Sequence, residues 1–428
     1  MTIESLFKEG IALSRRGRIS SSPRLLVVSD PRASELVETL KAEGIAHLSQ
    51  PIASPNKDNP QRDMAFLNGT IACLDGKTYY FIRGFGTDGS DLSMLVGQTE
   101  EKIDRNEGRS SIFRATGTVE DPFTLEVEEK PILVPTRKGE IDFEDPRNTY
   151  LPNENTFAQF QTVTYLYIDP KKRLKVGYKP VLYLSENLKI FRRQKTSGLW
   201  PMTKDWTMFP ERVLDPHGNL AYASLFTTRL ASQSKKNKKY RERYQERPGI
   251  WIAYSKDMLH WYGHKEILLP GDDEAKLGPG AAPIKTKEGW QALIHAVRIE
   301  ERTGGEIRYI TQAKHDDKTD QAKTDNRTRV YSAQSALLNL YRPSIVEKVS
   351  GDLVVPTYDW EMNDEYKIRH LMITGAMPAL IMDGDTMGAI AAPYGAGDKH
   401  TGMLVLTPQY IRDSQHPVPK ERLVQNTD

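Results

Sequence analysis

Short apolar stretches, each closed by a turn signal, recur from Asp63 almost to the end of the chain. This rhythm limits the possible folds more than any other feature. Thr70-Ile71-Ala72-Cys73-Leu74 is followed by Asp75-Gly76-Lys77 and then by Thr78-Tyr79-Tyr80-Phe81-Ile82. An Asp-Gly pair accepts the positive backbone angles of a tight hairpin, so the stretch predicts two antiparallel strands. Similar runs cover residues 92–96, 122–134, 163–168, 174–176, 181–184, 221–227, 249–254, 290–297, 307–313, 371–382 and 388–393. Helical periodicity is scarce after residue 50. Many short strands fit a β-propeller, a large sandwich or a β-solenoid. No strict internal repeat is visible, but the strands gather into roughly five bouts of about 50–75 residues, which favours a propeller with irregular insertions.

The flanks differ from this body. Residues 6–15 read as a short helix and 24–29 as an apolar strand. Leu36, Leu40 and Ile45 then follow at helical spacing, with Pro31 suited to a first turn. Residues 1–58 are therefore expected to form a small α/β extension, and it holds no glycine-rich phosphate loop. Residues 408–428, with Pro417 and Pro419, read as a strap or a loose end. Two polar insertions, 232–247 (strongly basic) and 314–329 (mixed charge), are expected at the surface.

Lys and Arg number 59 against 57 Asp and Glu, a net charge of +2. No bulk field favours nucleic acid. A single cysteine, Cys73, excludes an internal disulfide and a cysteine-rich metal site. No apolar run approaches the roughly 18 residues of a membrane span, and the first residues lack a signal-peptide core. A cytoplasmic protein is expected, without membrane or nucleic-acid partners. The extra segments are compatible with a homo-oligomer.

The most suggestive chemistry lies in Ile141-Asp142-Phe143-Glu144-Asp145-Pro146-Arg147. Alternation puts Ile141, Phe143 and Asp145 on one side of an extended segment and Asp142 and Glu144 on the other. Proline after Asp145 is expected to end the strand there. A carboxyl at such an end suits a general acid, although from these residues alone a turn with solvated charges is the commoner case. In a propeller, side chains at the inner strand ends converge on the axis. The candidates at such positions are Asn68, Arg83, Arg147, Lys204, Arg229, His295, Tyr331 and Asp398. The set is rich in cations and donors and poor in carboxylates. An inverting hydrolase needs an acid and a second carboxylate as base, about 6.5–9.5 Å apart. Phosphate is already an anionic nucleophile and needs cations to hold it, so the balance leans towards phosphorolysis.

These motifs resemble glycoside hydrolase family 130, the mannoside phosphorylases and related β-mannosidases. The resemblance covers roughly residues 60–400 and rests on Glu144-Asp145-Pro146-Arg147, Lys204 with Phe209-Pro210, the turn 255–261, the loop 278–283 leading to Gly289-Trp290 and His295, and Tyr394-Gly395-Ala396-Gly397-Asp398. It implies a five-bladed propeller, with Asp145 as an acid that protonates the glycosidic oxygen through a mannose hydroxyl. It further implies that Arg83, Arg147, Lys204, His295 and Tyr331 bind phosphate, while Asn68 and Asp398 match positions close to sugar or phosphate. Arg229, from its place in the third bout alone, is a further candidate for substrate contact. No cofactor is implied, only inorganic phosphate as co-substrate beside a mannose-containing oligosaccharide. The chain departs from the family pattern at Gly69 after Asn68, at Ala296 after His295, at residues 370–375 and in its extra segments. The competing readings are an inverting hydrolase using Glu144, Asp359 or Glu361 as base, and a non-catalytic carbohydrate-binding propeller.

Overall fold

The computed structural model describes residues 1–15, 24–29, 33–86, 109–118, 122–168, 174–228, 247–303, 306–309, 327–364, 367–383 and 385–424. Antiparallel hairpins dominate because the apolar runs alternate and their turns carry residues that tolerate positive φ. Asp75 (φ 51°) and Gly76 (φ 71°) close the hairpin between strands Ala65–Leu74 and Lys77–Gly86, as the sequence predicts.

Among the described residues, five sheets follow in chain order. The first holds Ala65–Leu74, Lys77–Gly86, Arg109–Thr118 and Glu126–Val127. The second holds Glu140–Leu151, Thr156–Ile168, Leu174–Ser185 and Arg192–Arg193. The third runs from Thr203–Met208 through Leu220–Thr228 and Ile250–Ser255 to Trp261–Leu268, with Val213–Leu214 beside it. The fourth has nine strands, built on Lys276–Pro279, Trp290–Thr303, Arg327–Leu338 and Val346–Ser350. The last has six, including Met377–Asp383, Asp385–Ala396 and His400–Leu406.

The molecule is a β-propeller, but the expected clean five-bladed form with an appended α/β extension is corrected by these sheets. They carry four, four, five, nine and six strands rather than equal blades. The N-terminal segment is woven into the last of them. Leu26–Val28 pairs in parallel with Met377–Asp383, and Ile45–His47 pairs antiparallel with His400–Leu406. Gln415–Pro417 likewise lies on Val346–Ser350. Open sheet edges present unpaired backbone groups, and added strands cover them. The two predicted N-terminal helices are present as Ile3–Arg15 and Ala33–Glu43. The apolar face of the second buries Leu36, Val37 and Leu40 in a cluster shared with the last sheet.

Aromatic and branched residues fill the spaces between sheets. Phe143, Val163 and Val181 of the second sheet meet Phe81 and Ile112 of the first. Phe160 from the opposite face of the second sheet meets Trp206 and Phe226 of the third, with the last two rings stacked 4.3 Å apart. Each such side chain contributes about 1.5–3 kcal/mol through burial, so neighbouring sheets are held firmly enough to fix side chains at the axis.

Three innermost strands are interrupted by bulges. Register shifts fall between Leu67 and Thr70, between Glu144 and Arg147, and between Lys204 and Thr207. The residue turned out at each is Asn68 (φ 55°), Asp145 (φ 49°) and Asp205 (φ 61°). Asn and Asp tolerate this left-handed conformation best among residues with a side chain. A bulge adds a residue and re-aims its side chain. Pro146 therefore does not end its strand: Glu140–Leu151 runs through it, because the bulge asks no ladder hydrogen bond of the proline.

Candidate active site

The three bulges deliver Asn68, Asp145 and Asp205 to one cavity of about 230 Å³. Arg83, Glu144, Lys204, Lys276, Tyr331, His370 and Asp398 line it too, and Tyr178, Met202, Thr227, Thr228 and Pro248 extend it over the second and third sheets.

Asp145 is one of its lining carboxylates. Asn68 Nδ2 donates to Asp145 Oδ1 at 2.6 Å, and Arg83 Nη1 stands 3.8 Å from the same oxygen. Gly395 is required behind Asn68, since a Cβ there would overlap the Asn68 side chain. Beside Asp145, Glu144 gathers the cations: Lys204 Nζ donates to Oε2 at 2.6 Å, Arg83 Nη2 lies 3.5 Å from Oε1, and Thr164 Oγ1 donates to Oε1 at 3.2 Å. Burial alone would raise the Glu144 carboxyl, but Lys204 and Arg83 overcome it and bring the pKa down to about 2. For Lys204 burial works in the opposite sense and is outweighed by Glu144 and Asp145, so its ammonium titrates above the usual lysine range.

A second ion group lies deeper. Asp205 accepts from Arg147 Nη2 at 3.0 Å and faces Lys276 at 3.5 Å and His295 at 3.9 Å. Burial opposes ionisation of Asp205, yet Lys276 and Arg147 hold it well below the usual carboxylate range. On the other side, His370 Nδ1 is 3.4 Å from Asp398 Oδ1, and Tyr331 meets the His370 ring edge-on at 4.6 Å. Burial keeps His370 below its ordinary pKa despite Asp398, and burial with Asp398 pushes the Tyr331 phenol up to about 12. Asp398 has φ 53° and a side chain 42% exposed, which places it at the cavity mouth.

Among the residues expected from the sequence, Asn68, Arg83, Asp145, Lys204, Tyr331 and Asp398 meet at this cavity. Arg147 and His295 do not line it. The Arg147 side chain is 1% exposed, donates to Asp205 and to the Ile373 carbonyl at 3.3 Å, and stands behind the wall. His295 is wholly buried behind Asp205, against Gly278. Arg229 and most of the basic insertion lie outside the described residues. The supposed scarcity of carboxylates is also corrected: Glu144, Asp145, Asp205 and Asp398 share the cavity with Arg83, Lys204 and Lys276. Of the residues considered as a base, Asp359 and Glu361 are not among the lining side chains.

Sequence reasoning did not single out Asp205, Lys276, Tyr178, Thr227 or Thr228 as site residues. Lys276 had a signal: it stands two residues before the Gly278-Pro279-Gly280 motif, on a strand paired with that of His295. Among the described residues no group of three or more His, Cys, Asp or Glu is placed to hold a metal ion. Among them, too, no helix is long and apolar enough to cross a membrane.

Comparison with known proteins identifies the family and the fold. The family model Glyco_hydro_130, described as β-1,4-mannooligosaccharide phosphorylase, matches residues 110–413. That span contains Asp145, Lys204, Lys276, His370 and Asp398, while Asn68 and Arg83 precede it. A 1,2-β-oligomannan phosphorylase of Thermoanaerobacter sp. is 27% identical over 54% of this chain and 60% of its own length. A β-1,2-mannobiose phosphorylase of Listeria innocua is 26% identical over 64% of this chain and 60% of its own. The chain thus spans about three fifths of the length of these two curated relatives. In three dimensions, a β-1,2-mannobiose phosphorylase from Listeria innocua, solved with β-1,2-mannobiose, superposes with a TM-score of 0.59 at 20% identity, over 86% of this chain and 98% of that one. That likeness carries the fold. The family model covers well over half of the sequence, and the chain belongs to glycoside hydrolase family 130.

Proposed function

We propose that the protein catalyses inverting phosphorolysis of β-mannosides, releasing α-mannose 1-phosphate and a sugar shortened by one mannose. The observation that carries this reading is the meeting of Asp145, turned into the cavity by its bulge and paired with the Asn68 amide, with three cations, Arg83, Lys204 and Lys276. The family membership and the phosphorylase names of the relatives point the same way.

In this reading Asp145 is the general acid. A phosphate oxygen forms a bond to the anomeric carbon from the face opposite the departing oxygen. The carbon–oxygen glycosidic bond breaks, its electron pair stays on the leaving oxygen, and a proton from Asp145 neutralises it, relayed through a mannose hydroxyl. The Asn68 amide fixes the rotamer of Asp145. Arg83 and Lys204 stay charged across the working pH range because Glu144 lies between them, and they offer phosphate two cationic donors. Lys276 is a third. Tyr331, His370 and Asp398 are left to hold sugar hydroxyls. Arg147 and His295 act from behind, through Asp205.

A hydrolytic reading has one observation of its own. Asp398 is a partly exposed carboxylate at the mouth of the cavity, available as a base for water. Glu144 suits that role poorly, since two cations and a hydroxyl already occupy it. Incubation of β-1,2- and β-1,4-mannobiose with and without phosphate separates the readings. Phosphate-dependent formation of α-mannose 1-phosphate supports phosphorolysis. Free mannose in phosphate-free buffer supports hydrolysis, and no product from either disaccharide opposes both.

A further inference from the structure

The N-terminal strand Ile45–His47 carries a histidine that reaches a carboxylate belonging to the opposite end of the chain. His47 Nε2 lies 2.7 Å from Glu361 Oε1, and the Tyr394 hydroxyl donates to the same oxygen at 2.6 Å. The other oxygen, Oε2, accepts from the backbone N–H groups of Thr357 at 2.6 Å and Tyr358 at 2.9 Å. Glu361 is wholly buried, and its four donors hold the turn 357–361 as one piece. Burial would raise the Glu361 carboxyl, but His47 and the backbone donors outweigh it, so the group stays ionised and keeps all four.

This turn continues into the candidate site. The Glu361 carbonyl accepts from His370 N at 2.9 Å, and the His370 carbonyl accepts from Gly397 N at 3.3 Å. Asn363 Nδ2 donates to the Gly397 carbonyl at 3.1 Å. His370 and Asp398 both line the cavity, and both hang from that ladder. The cations that face Glu144 belong to the first and third sheets and make none of these bonds.

We infer that His47 and Glu361 are positioning residues: the N-terminal segment, through this pair, sets the place of His370 and Asp398 and so governs sugar binding while leaving phosphate binding alone. This rests on the phosphorylase reading for its kinetic form. A buried carboxylate that loses a partner must move or take up a proton, and either response shifts the turn carrying the two site residues. Displacements of about 1 Å at a reacting centre cost up to a hundredfold.

The test uses the full chain with His47→Leu and His47→Gln. Leucine removes the donor to Glu361, whereas glutamine restores an N–H donor of similar reach. The expected result for leucine is a KM for the mannoside raised about tenfold, with KM for phosphate within about twofold of wild type, and recovery in His47→Gln. Equal changes in both KM values, or none despite a lowered Tm, would overturn the inference and leave a merely structural pair. Should His47→Leu fail to fold, Tyr394→Phe, which removes the other donor to the same oxygen, is read with the same expectation. Hydrogen exchange gives a readout independent of turnover. The inference predicts faster exchange at the His370 and Gly397 amides in the leucine variant, and unchanged exchange there refutes it. Wild-type protein without any turnover would refute the phosphorylase reading alone, and exchange would still decide the coupling.

Discussion

Single side chains in this cavity are defined by what opposes them. Asp145 faces one amide and one guanidinium, while Glu144 next to it is held by Lys204, Arg83 and Thr164. Two adjacent carboxylates thereby sit in different surroundings. Asp145→Asn keeps a residue suited to φ 49° and should leave thermal unfolding within about a degree of wild type, while turnover falls a hundredfold or more. Circular dichroism melting beside a turnover assay checks both halves. Asp205→Ala should instead lower stability. It strips the fully buried Arg147 guanidinium of its carboxylate, at a cost of about 3–5 kcal/mol in a denaturant titration. The pH dependence of stability follows from Glu144. Its folded pKa of about 2 lies below its ordinary 4.5, so its stabilisation is complete above about pH 4.5 and is lost as pH falls towards 2. Glu144→Gln should therefore narrow its stability gap to wild type as pH drops through that window, as measured by unfolding at stepped pH.

At the scale of elements, the bulges explain what a sequence reading reaches and where it stops. Hairpins were legible because Asp75-Gly76 and the alternating runs around it announce them. The two N-terminal helices were legible from spacing alone. The strand end placed at Pro146 was not correct, because a bulge lets proline sit inside a strand, and alternation counted across it fails. That failure also hid the fates of Glu144 and Arg147. Counting by twos puts Glu144 away from Asp145, yet the bulge brings both to the cavity. Arg147, beyond the bulge, turns to Asp205, a partner 58 residues away that no local pattern reveals. Lys276 was missed because its strand is only four residues long and reads as part of a loop. The close contact of Gly395 with Asn68 makes a sharp prediction for one element. Gly395→Ala should displace Asn68 and with it Asp145, lowering kcat/KM at least tenfold, although neither ring nor charge is altered.

The whole molecule is closed by both of its ends. Strands from the N-terminal segment cover the two sides of the last sheet, and the C-terminal segment covers the fourth. Arg422 is buried there, donating to Glu274 at 3.0 Å and to the Leu269 carbonyl at 3.1 Å. Glu274 in turn lies two residues before Lys276 of the cavity. Arg422→Ala should lower stability by about 3 kcal/mol, measured by denaturant unfolding. The sequence could not show this closure, since it joins segments that lie far apart along the chain. It did show the family, because the motifs around Asp145, Lys204 and Asp398 keep their order. The central claim, that this propeller transfers mannose to and from phosphate with Asp145 as acid, is tested most directly in the synthetic direction. α-Mannose 1-phosphate is mixed with mannose, glucose, N-acetylglucosamine or manno-oligosaccharides, and phosphate release is followed for wild type and Asp145→Asn. Release that requires an acceptor and vanishes in the variant is the predicted result. Release that is independent of acceptor, or that survives in Asp145→Asn, would contradict the account.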